Sequence, residues 1–90
     1  MAYFVVSYDL RRKAEFDYSK LWAEFKRLDG VKYQESAYFI ELANTPPQVK
    51  DHFSAFMHED DLLMVVEFSE RPSYTRGLQG TNDWVKARWP

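Results

Sequence analysis

The sequence contains no cysteine and only three glycines among its 90 residues. The absence of cysteine excludes a disulfide framework and thiolate metal sites, and it is typical of a protein in a reducing compartment. Three scattered glycines do not form a glycine-rich phosphate loop. The chain also has no apolar run long enough to span a membrane, and it does not begin with a secretory signal pattern. We therefore expect a soluble cytoplasmic protein with no membrane partner.

The sequence also has no excess of positive charge, since its formal net charge is −2. This argues against a generally basic nucleic-acid-binding protein. The charge is uneven: residues 1–69 carry eight Lys and Arg against twelve Asp and Glu, whereas residues 70–90 carry four against two. Aromatic residues are abundant at 18%. A chain this short gains stability by dimerisation, so some of these rings are expected at a subunit interface.

Hydrophobic periodicity predicts six elements in residues 1–69. Apolar and β-branched runs indicate strands at residues 3–8, 31–35, 36–42 and 62–68, the last long enough for one buried strand. Apolar residues at helical spacing indicate helices over residues 17–29 and from Asn44 to Met57. The order strand, helix, strand, strand, helix, strand predicts an α+β, ferredoxin-like βαββαβ antiparallel sheet with both helices on one face. We expect the first and third strands to be central and parallel, with the fourth antiparallel beside the first.

Polar residues mark the ends of both helices. Asp17 is a predicted N-cap of the first helix and Gly30 its C-terminal stop. Thr45 and Gln48 form a predicted capping box at the second helix, with Pro46 at its first position. On the outer face of the first helix, Lys20 and Glu24 have the spacing of a weak ion pair.

Residues 70–90 form a C-terminal extension of different character. Glycine and proline indicate a loop, after which Thr81 is a candidate cap for a short helix with two tryptophans on one face. Tryptophan side chains are seldom fully exposed to solvent, so the extension is expected to dock on the sheet or on a partner subunit. The expected interface residues are Tyr3, Tyr38, Trp84 and Trp89.

Acidic residues are predicted to meet at one edge of the sheet. Asp9 ends the first strand, and Asp60 and Asp61 precede the fourth, so an antiparallel pairing of these strands makes them neighbours. One or two carboxylates with water and substrate phosphates suffice for Mg²⁺, and Mn²⁺ is also suited to carboxylate ligands. Asp9 with Asp60 or Asp61, or with its copy across a dimer axis, is therefore a candidate metal site. The alternative is that the acidic residues simply solvate a loop.

Further candidates surround this edge. His58 is a candidate general acid or base, although a favourable interaction with a helix C-terminus explains it equally well. Tyr3, Tyr33 and Tyr38 are expected to face outward on the open sheet, where rings are able to stack bases, but such a face is at least as often a dimer interface. No serine has a histidine and aspartate at triad spacing, and no zinc pattern is present. The candidate nucleic-acid-binding residues, through contacts with phosphates, are Arg11, Arg12, Lys13 and Lys32.

The segments YFVVSYDL, VKYQESAYFIEL and DDLLMVVEF, in this order and spacing, resemble the CRISPR-associated Cas-two family and the related VapD-type ribonucleases. The resemblance covers residues 1 to about 69. It implies a ferredoxin-like homodimer in which Asp9 is similar to the family's metal-binding catalytic acid. Members are metal-dependent nucleases on RNA or DNA, or non-catalytic scaffolds that hold DNA beside an integrase. The family often adds a strand that pairs with the partner subunit, and residues 69–90 are the candidate for it.

Two functions follow from these observations. The first is a Cas-two-like, nucleic-acid-associated homodimer that hydrolyses phosphodiesters with Mg²⁺ or Mn²⁺ held by Asp9, with His58 assisting proton transfer. The second is a non-catalytic protein-interaction module of the same fold, such as a toxin–antitoxin, mobile-element or phage-defence component. The acidic body, the short loop after Asp9 and the tryptophan-bearing tail depart from the family and argue against DNA scaffolding more than against the fold. The acidic balance favours the second function, whereas the aspartate at the end of the first strand favours the first.

Overall fold

A computed structural model describes the whole chain from Met1 to Pro90. It is an α+β structure with four strands and three helices. None of the helices is long and apolar enough to cross a membrane. The elements in chain order are β1 (Ala2–Asp9), α1 (Ser19–Arg27), β2 (Val31–Gln34), β3 (Ala37–Leu42), α2 (Pro46–Ser54), β4 (Leu62–Phe68) and α3 (Thr81–Arg88).

The four strands form one sheet in the order β2-β3-β1-β4, and every neighbouring pair is antiparallel. The predicted central position of the first and third strands is confirmed. Their predicted parallel orientation is wrong. The tight turn at Glu35 and Ser36 reverses the chain between β2 and β3, while the α1 crossover leaves β2 running in the direction of β1. β3 must therefore run antiparallel to β1.

Helices α1 and α2 cover one face of the sheet, which we call the helix face. Phe4 and Val6 of β1 are fully buried there, because alternate residues of a strand point to the same side. Tyr38 also lies on this face, where its ring stacks on Phe25 with the centroids 3.8 Å apart. Its expected outward orientation is therefore wrong. The helices contribute Leu21, Phe25, Val49 and Phe53 to the core.

Helix α3 covers part of the opposite face, which we call the α3 face. Trp84 and Val85 are buried against Phe39 of β3, and Tyr3 of β1 packs beside them. The indole Nε1 of Trp84 donates a hydrogen bond of 3.1 Å to the backbone oxygen of Asp29. The C-terminal extension thus docks on the sheet of its own chain, one of the two positions that the sequence left open.

The capping residues of α1 each lie one residue from their predicted positions, and the helix itself, Ser19–Arg27, is shorter than the predicted 17–29. Tyr18 occupies the N-cap, although Asp17 still accepts a hydrogen bond of 2.9 Å from the backbone N–H of Ser19. At the other end Asp29, not Gly30, adopts the left-handed conformation, with φ of 56°. Gly30 is needed for a different reason, because a Cβ there would lie 2.8 Å from Cγ2 of Ile40.

The predicted capping box of α2 is confirmed, since Thr45 and Gln48 each accept a backbone hydrogen bond from the other. The helix itself ends at Ser54, three residues before Met57, where the apolar pattern stops. The predicted cap of α3 is wrong. Gly80, with φ of 93°, is the N-cap, and Thr81 is a buried residue of the first turn. A left-handed N-cap favours glycine, which explains the choice of residue.

Candidate functional site

The end of β1 and the start of β4 lie side by side, as the sequence predicted. Asp9 is paired with Leu62, which places it next to the acidic residues before β4. The Asp9 side chain is 56% exposed. We call this edge of the sheet, formed by Asp9, the β1–α1 loop and residues 58–61, the acidic edge.

Asp61 joins the two loops of the acidic edge. Its carboxylate accepts hydrogen bonds from the backbone N–H of Arg11 at 2.7 Å and of His58 at 2.8 Å, and from the Tyr18 hydroxyl at 2.8 Å. Burial alone would raise the pKa of Asp61, but these hydrogen bonds together lower it below its ordinary value. The side chain therefore fastens the β1–α1 loop to the α2–β4 loop.

The other acidic side chains of this edge also have protein partners. Asp60 pairs with the Arg12 guanidinium, and Oδ2 of Asp9 accepts a hydrogen bond of 2.9 Å from Nη1 of Arg11. His58 lies in the loop after α2, beyond the end of the helix, and its Nδ1 faces the backbone N–H of Asp60 at 3.0 Å. The charges of the acidic edge are thus largely compensated within the chain.

These contacts bear on the predicted metal site. The structure contains no group of three or more His, Cys, Asp or Glu residues arranged to hold a metal ion. Both carboxylate oxygens of Asp61 accept hydrogen bonds from protein donors, and the Asp60 carboxylate accepts them from the Arg12 guanidinium. Within one chain, a cation bound by Asp60 or Asp61 would therefore compete with these arginine and amide donors. Asp9 is the least engaged of the three.

The candidate phosphate-binding residues are only partly available. Arg11 and Arg12 are the partners of Asp9 and Asp60, so an incoming phosphate would compete with these carboxylates. Lys13 is exposed on the β1–α1 loop. Lys32 lies on β2 with its ammonium 5.5 Å from the centre of the Trp22 ring. The four cations therefore do not form one continuous patch with the acidic edge.

The aromatic residues expected at an interface have partners inside the chain. The Tyr3 ring lies 4.5 Å from Trp89 and 6.3 Å from Trp84, measured between centroids. The Arg88 guanidinium lies 3.8 Å from the Trp84 ring centre. Helix α3 thus uses these rings to cover one end of the α3 face.

The rest of the α3 face exposes apolar side chains that the sequence did not single out. Leu62, Met64 and Val66 of β4 are 56%, 58% and 46% exposed. They point to the α3 face, whereas Leu63 and Val65 pack against the helix-face core. The prediction of a buried strand therefore holds only for the side chains that pack, partly buried, on the helix face, and it is wrong for those on the α3 face. We call Leu62, Met64 and Val66 the β4 row. The sequence signal for this row is the apolar run itself. A run in which apolar and polar residues do not alternate predicts a strand that is covered on both faces.

A second cluster was missed because Glu24 was placed on the outer face of α1. Glu24 is buried between the helices, where Arg27 donates to it at 2.6 Å and 2.7 Å and His52 Nε2 lies 2.5 Å away. The predicted pair with Lys20 is not formed. The hydrogen bonds from Arg27, followed by that from His52, hold the pKa of Glu24 at about 2 despite burial. The cluster clamps α1 to α2.

This cluster predicts a pH dependence of stability. The pKa of Glu24 falls from 4.5 to about 2 on folding, so its contribution is complete above pH 4.5 and is lost as the pH falls toward 2. We expect Glu24→Gln to reduce the slope of unfolding free energy against pH in that window. Urea unfolding at several pH values measures it. Glu15→Gln, at an exposed acidic residue, is the control. An unaltered slope in Glu24→Gln would contradict the assignment.

No protein-family model matches the chain, and no solved structure is significantly similar to it. What the site does is therefore inferred from its own residues and contacts.

Proposed function

We propose that this protein is a protein-interaction module of the ferredoxin-like type that works as a homodimer. The observation that carries the proposal is the exposed β4 row, beside the acidic edge. The ferredoxin-like assignment is supported by the strand order and by the location of α1 and α2 on one face. The role is the non-catalytic one, as in a toxin–antitoxin, mobile-element or phage-defence component.

The β4 row supports an interface because its exposure is contiguous. Single exposed apolar residues are normal, whereas a contiguous apolar patch rimmed by polar residues marks an interaction site. Leu62, Met64 and Val66 are successive residues of one face of one strand, and Asp9 lies at the end of this patch. A second copy is the favoured partner because a 90-residue chain is near the size at which burial within one subunit becomes marginal.

The acidic edge supports the same function. Asp61 and Asp60 hold the loops through hydrogen bonds and an ion pair. These contacts give the edge a defined shape without requiring a metal, and they account for the acidic residues as structural groups. A rigid loop pair beside an apolar patch is suited to recognition.

The proposal predicts concentration-dependent dimerisation. We expect sedimentation analysis over roughly 1 to 100 μM to show a dimer, and Met64→Lys to weaken it at least tenfold because the change places a charge in the contact. Leu78→Lys is the matched control, since Leu78 is another apolar residue, 46% exposed, but lies beside β2 at the opposite edge of the sheet. A chain that is monomeric at every concentration would contradict the proposal.

A second candidate function is metal-dependent hydrolysis of RNA or DNA. The position of Asp9 favours it, because this exposed carboxylate ends a central strand beside the basic residues Arg11, Arg12 and Lys13. The residues of one chain do not enclose a cation, so Mg²⁺ or Mn²⁺ would need further ligands from substrate or from a second copy. His58 remains a candidate for proton transfer.

Labelled RNA and DNA, incubated with Mg²⁺, Mn²⁺ or a chelator, test this second candidate. A nuclease of this kind loses at least 100-fold of its activity in Asp9→Asn and all of it in chelator. Glu59→Gln serves as the control, because Glu59 is an exposed acidic residue of the same loop region. Cleavage that is indifferent to both Asp9→Asn and the chelator would remove the candidate.

A further inference from the structure

The two edges of the sheet are unequal. β2 is the short edge strand, with four residues, and it includes Lys32. The C-terminal extension reaches it, where the backbone N–H of Leu78 donates a hydrogen bond of 3.1 Å to the Tyr33 oxygen. Edge strands that are short, charged and covered do not pair with other chains. The β2 edge is therefore protected.

The other edge, β4, has none of these protections. It is seven residues long, LLMVVEF, and contains no proline, lysine or glycine and only one charge, Glu67. None of the backbone hydrogen bonds of turns and loops involves residues 62–68. A long, apolar edge strand with unpaired backbone groups is a template for pairing with another strand.

We propose that β4 pairs antiparallel with β4 of a second copy, with Val65 opposite Val65 of that copy, so that two sheets become one of eight strands. The inference rests on the proposed homodimer and specifies how its subunits meet. A two-fold axis perpendicular to the sheet keeps each side chain on its own face. The β4 row of one copy then lies beside the row of the other, with Met64 opposite Val66.

Charge and strand length favour this register over the two adjacent ones, which are centred on Met64 and Val66. With Val65 at the centre, Glu67 lies opposite Leu63, and all seven residues of each strand have a partner within β4. Centring the pair on Met64 would place Glu67 opposite Asp61, and like charges directly opposite each other are destabilising. Centring it on Val66 would place Leu62 opposite Glu70, beyond the end of the strand. The register on Val65 avoids both costs.

The surface is open beside the middle of β4. A groove of about 330 Å³ lies between Leu63, Met64 and Val65 and the start of α2 at Pro46, Pro47 and Lys50. The area available is modest, because each copy supplies one seven-residue strand and the three side chains of the β4 row. Interfaces of about 1,200 Å² or less are typical of weak complexes, so we expect a dimer that dissociates on dilution.

The pairing also separates the two copies of Asp9. Asp9 is opposite Leu62, and in this register Leu62 is opposite Phe68 of the second copy. Three strand spacings across the sheet and six residues along it put the two carboxylates roughly 25 Å apart. They are then unable to share a cation, which sets this arrangement apart from the dimer implied by the resemblance.

A mixed-disulfide experiment tests the register in the full chain. Because the protein has no cysteine, Met64→Cys and Val66→Cys each introduce a single thiol at an exposed position. In the proposed register, a cysteine at position 64 lies opposite one at position 66 of the other copy, about 5 Å away between Cα atoms. Identical cysteines are two residues out of register and about 8 Å apart, beyond the reach of a disulfide.

We expect an equimolar mixture of the two variants, oxidised and analysed by intact mass, to give mostly the mixed disulfide, well above the half expected by chance. Leu78→Cys, mixed with either variant, should give no such preference. Suppose that sedimentation shows a dimer, but the mixed disulfide forms only in the chance proportion or disulfides between identical cysteines dominate. This result would overturn the edge pairing but not the homodimer. A chain that stays monomeric and gives no preferred disulfide would overturn both.

Discussion

Replacing Trp84 with alanine is expected to lower the free energy of unfolding by about 3 to 5 kcal/mol, the range for removing a buried tryptophan. Trp84 is only 7% exposed and contacts the rings of Tyr3 and Phe39. Its indole also donates to the Asp29 oxygen, and the Arg88 guanidinium lies over its face. The substitution removes all of these contacts and detaches α3 from the sheet. Urea unfolding followed by circular dichroism measures the loss.

Trp84→Phe separates packing from the hydrogen bond, because it keeps a ring but cannot donate to Asp29. It should retain most of the stability that Trp84→Ala loses. Leu78→Ala is the surface control, with an expected change within about 0.5 kcal/mol. A loss below about 1 kcal/mol in Trp84→Ala would mean that α3 does not hold the sheet face in solution.

The second large effect is expected at Asp61, where asparagine should cost about 2 to 3 kcal/mol. The two oxygens of Asp61 accept from the backbone N–H groups of Arg11 and His58 and from the Tyr18 hydroxyl. Asparagine offers one oxygen and turns an NH₂ group toward donors, which leaves a donor without an acceptor. Thermal and urea unfolding at neutral pH measure the difference.

Asp9→Asn is the matched comparison for Asp61→Asn. Both changes remove one carboxylate from the acidic edge, but Asp9 has one exposed ion pair with Arg11, a contact of little value for stability. We expect its stability to change by less than about 0.5 kcal/mol. Equal losses in the two variants would contradict the assignment of Asp61 as the residue that fastens the loops. Lowering the pH from the ordinary pKa of Asp61 through its lowered pKa in the folded state should progressively remove its contribution.

Much of the acidic edge was predictable because topology alone places it. Once strands β1 and β4 were read as antiparallel neighbours, Asp9 and the acidic loop had to meet. The Thr45 capping box was predictable for a similar reason, since its hydrogen bonds join residues three apart. The individual pairings, such as Asp61 with Tyr18, depend on how two loops pack and carry no local signal.

Errors arose where the local sequence pattern does not decide which side of its helix or strand a side chain faces. Tyr38 follows a tight turn, and a difference of one residue in that turn decides which face it joins. Glu24 was assigned to solvent from the pattern of α1 alone, but His52 of α2 reaches it from a neighbouring helix. The β4 run is apolar on both faces, so its sequence does not tell which face the chain itself covers.

The cover that the C-terminal extension places on β2 also limits how many copies can assemble. Had both edges been bare, each added molecule would have offered a fresh template, and the sheet could have grown without end into fibres. In the proposed pairing through β4, the Leu78–Tyr33 hydrogen bond covers the opposite edge, so growth would end at two molecules. Loss of this backbone hydrogen bond would then allow the proposed pair to grow into a polymer, and the short stretch 77–79 would act as the safeguard against aggregation.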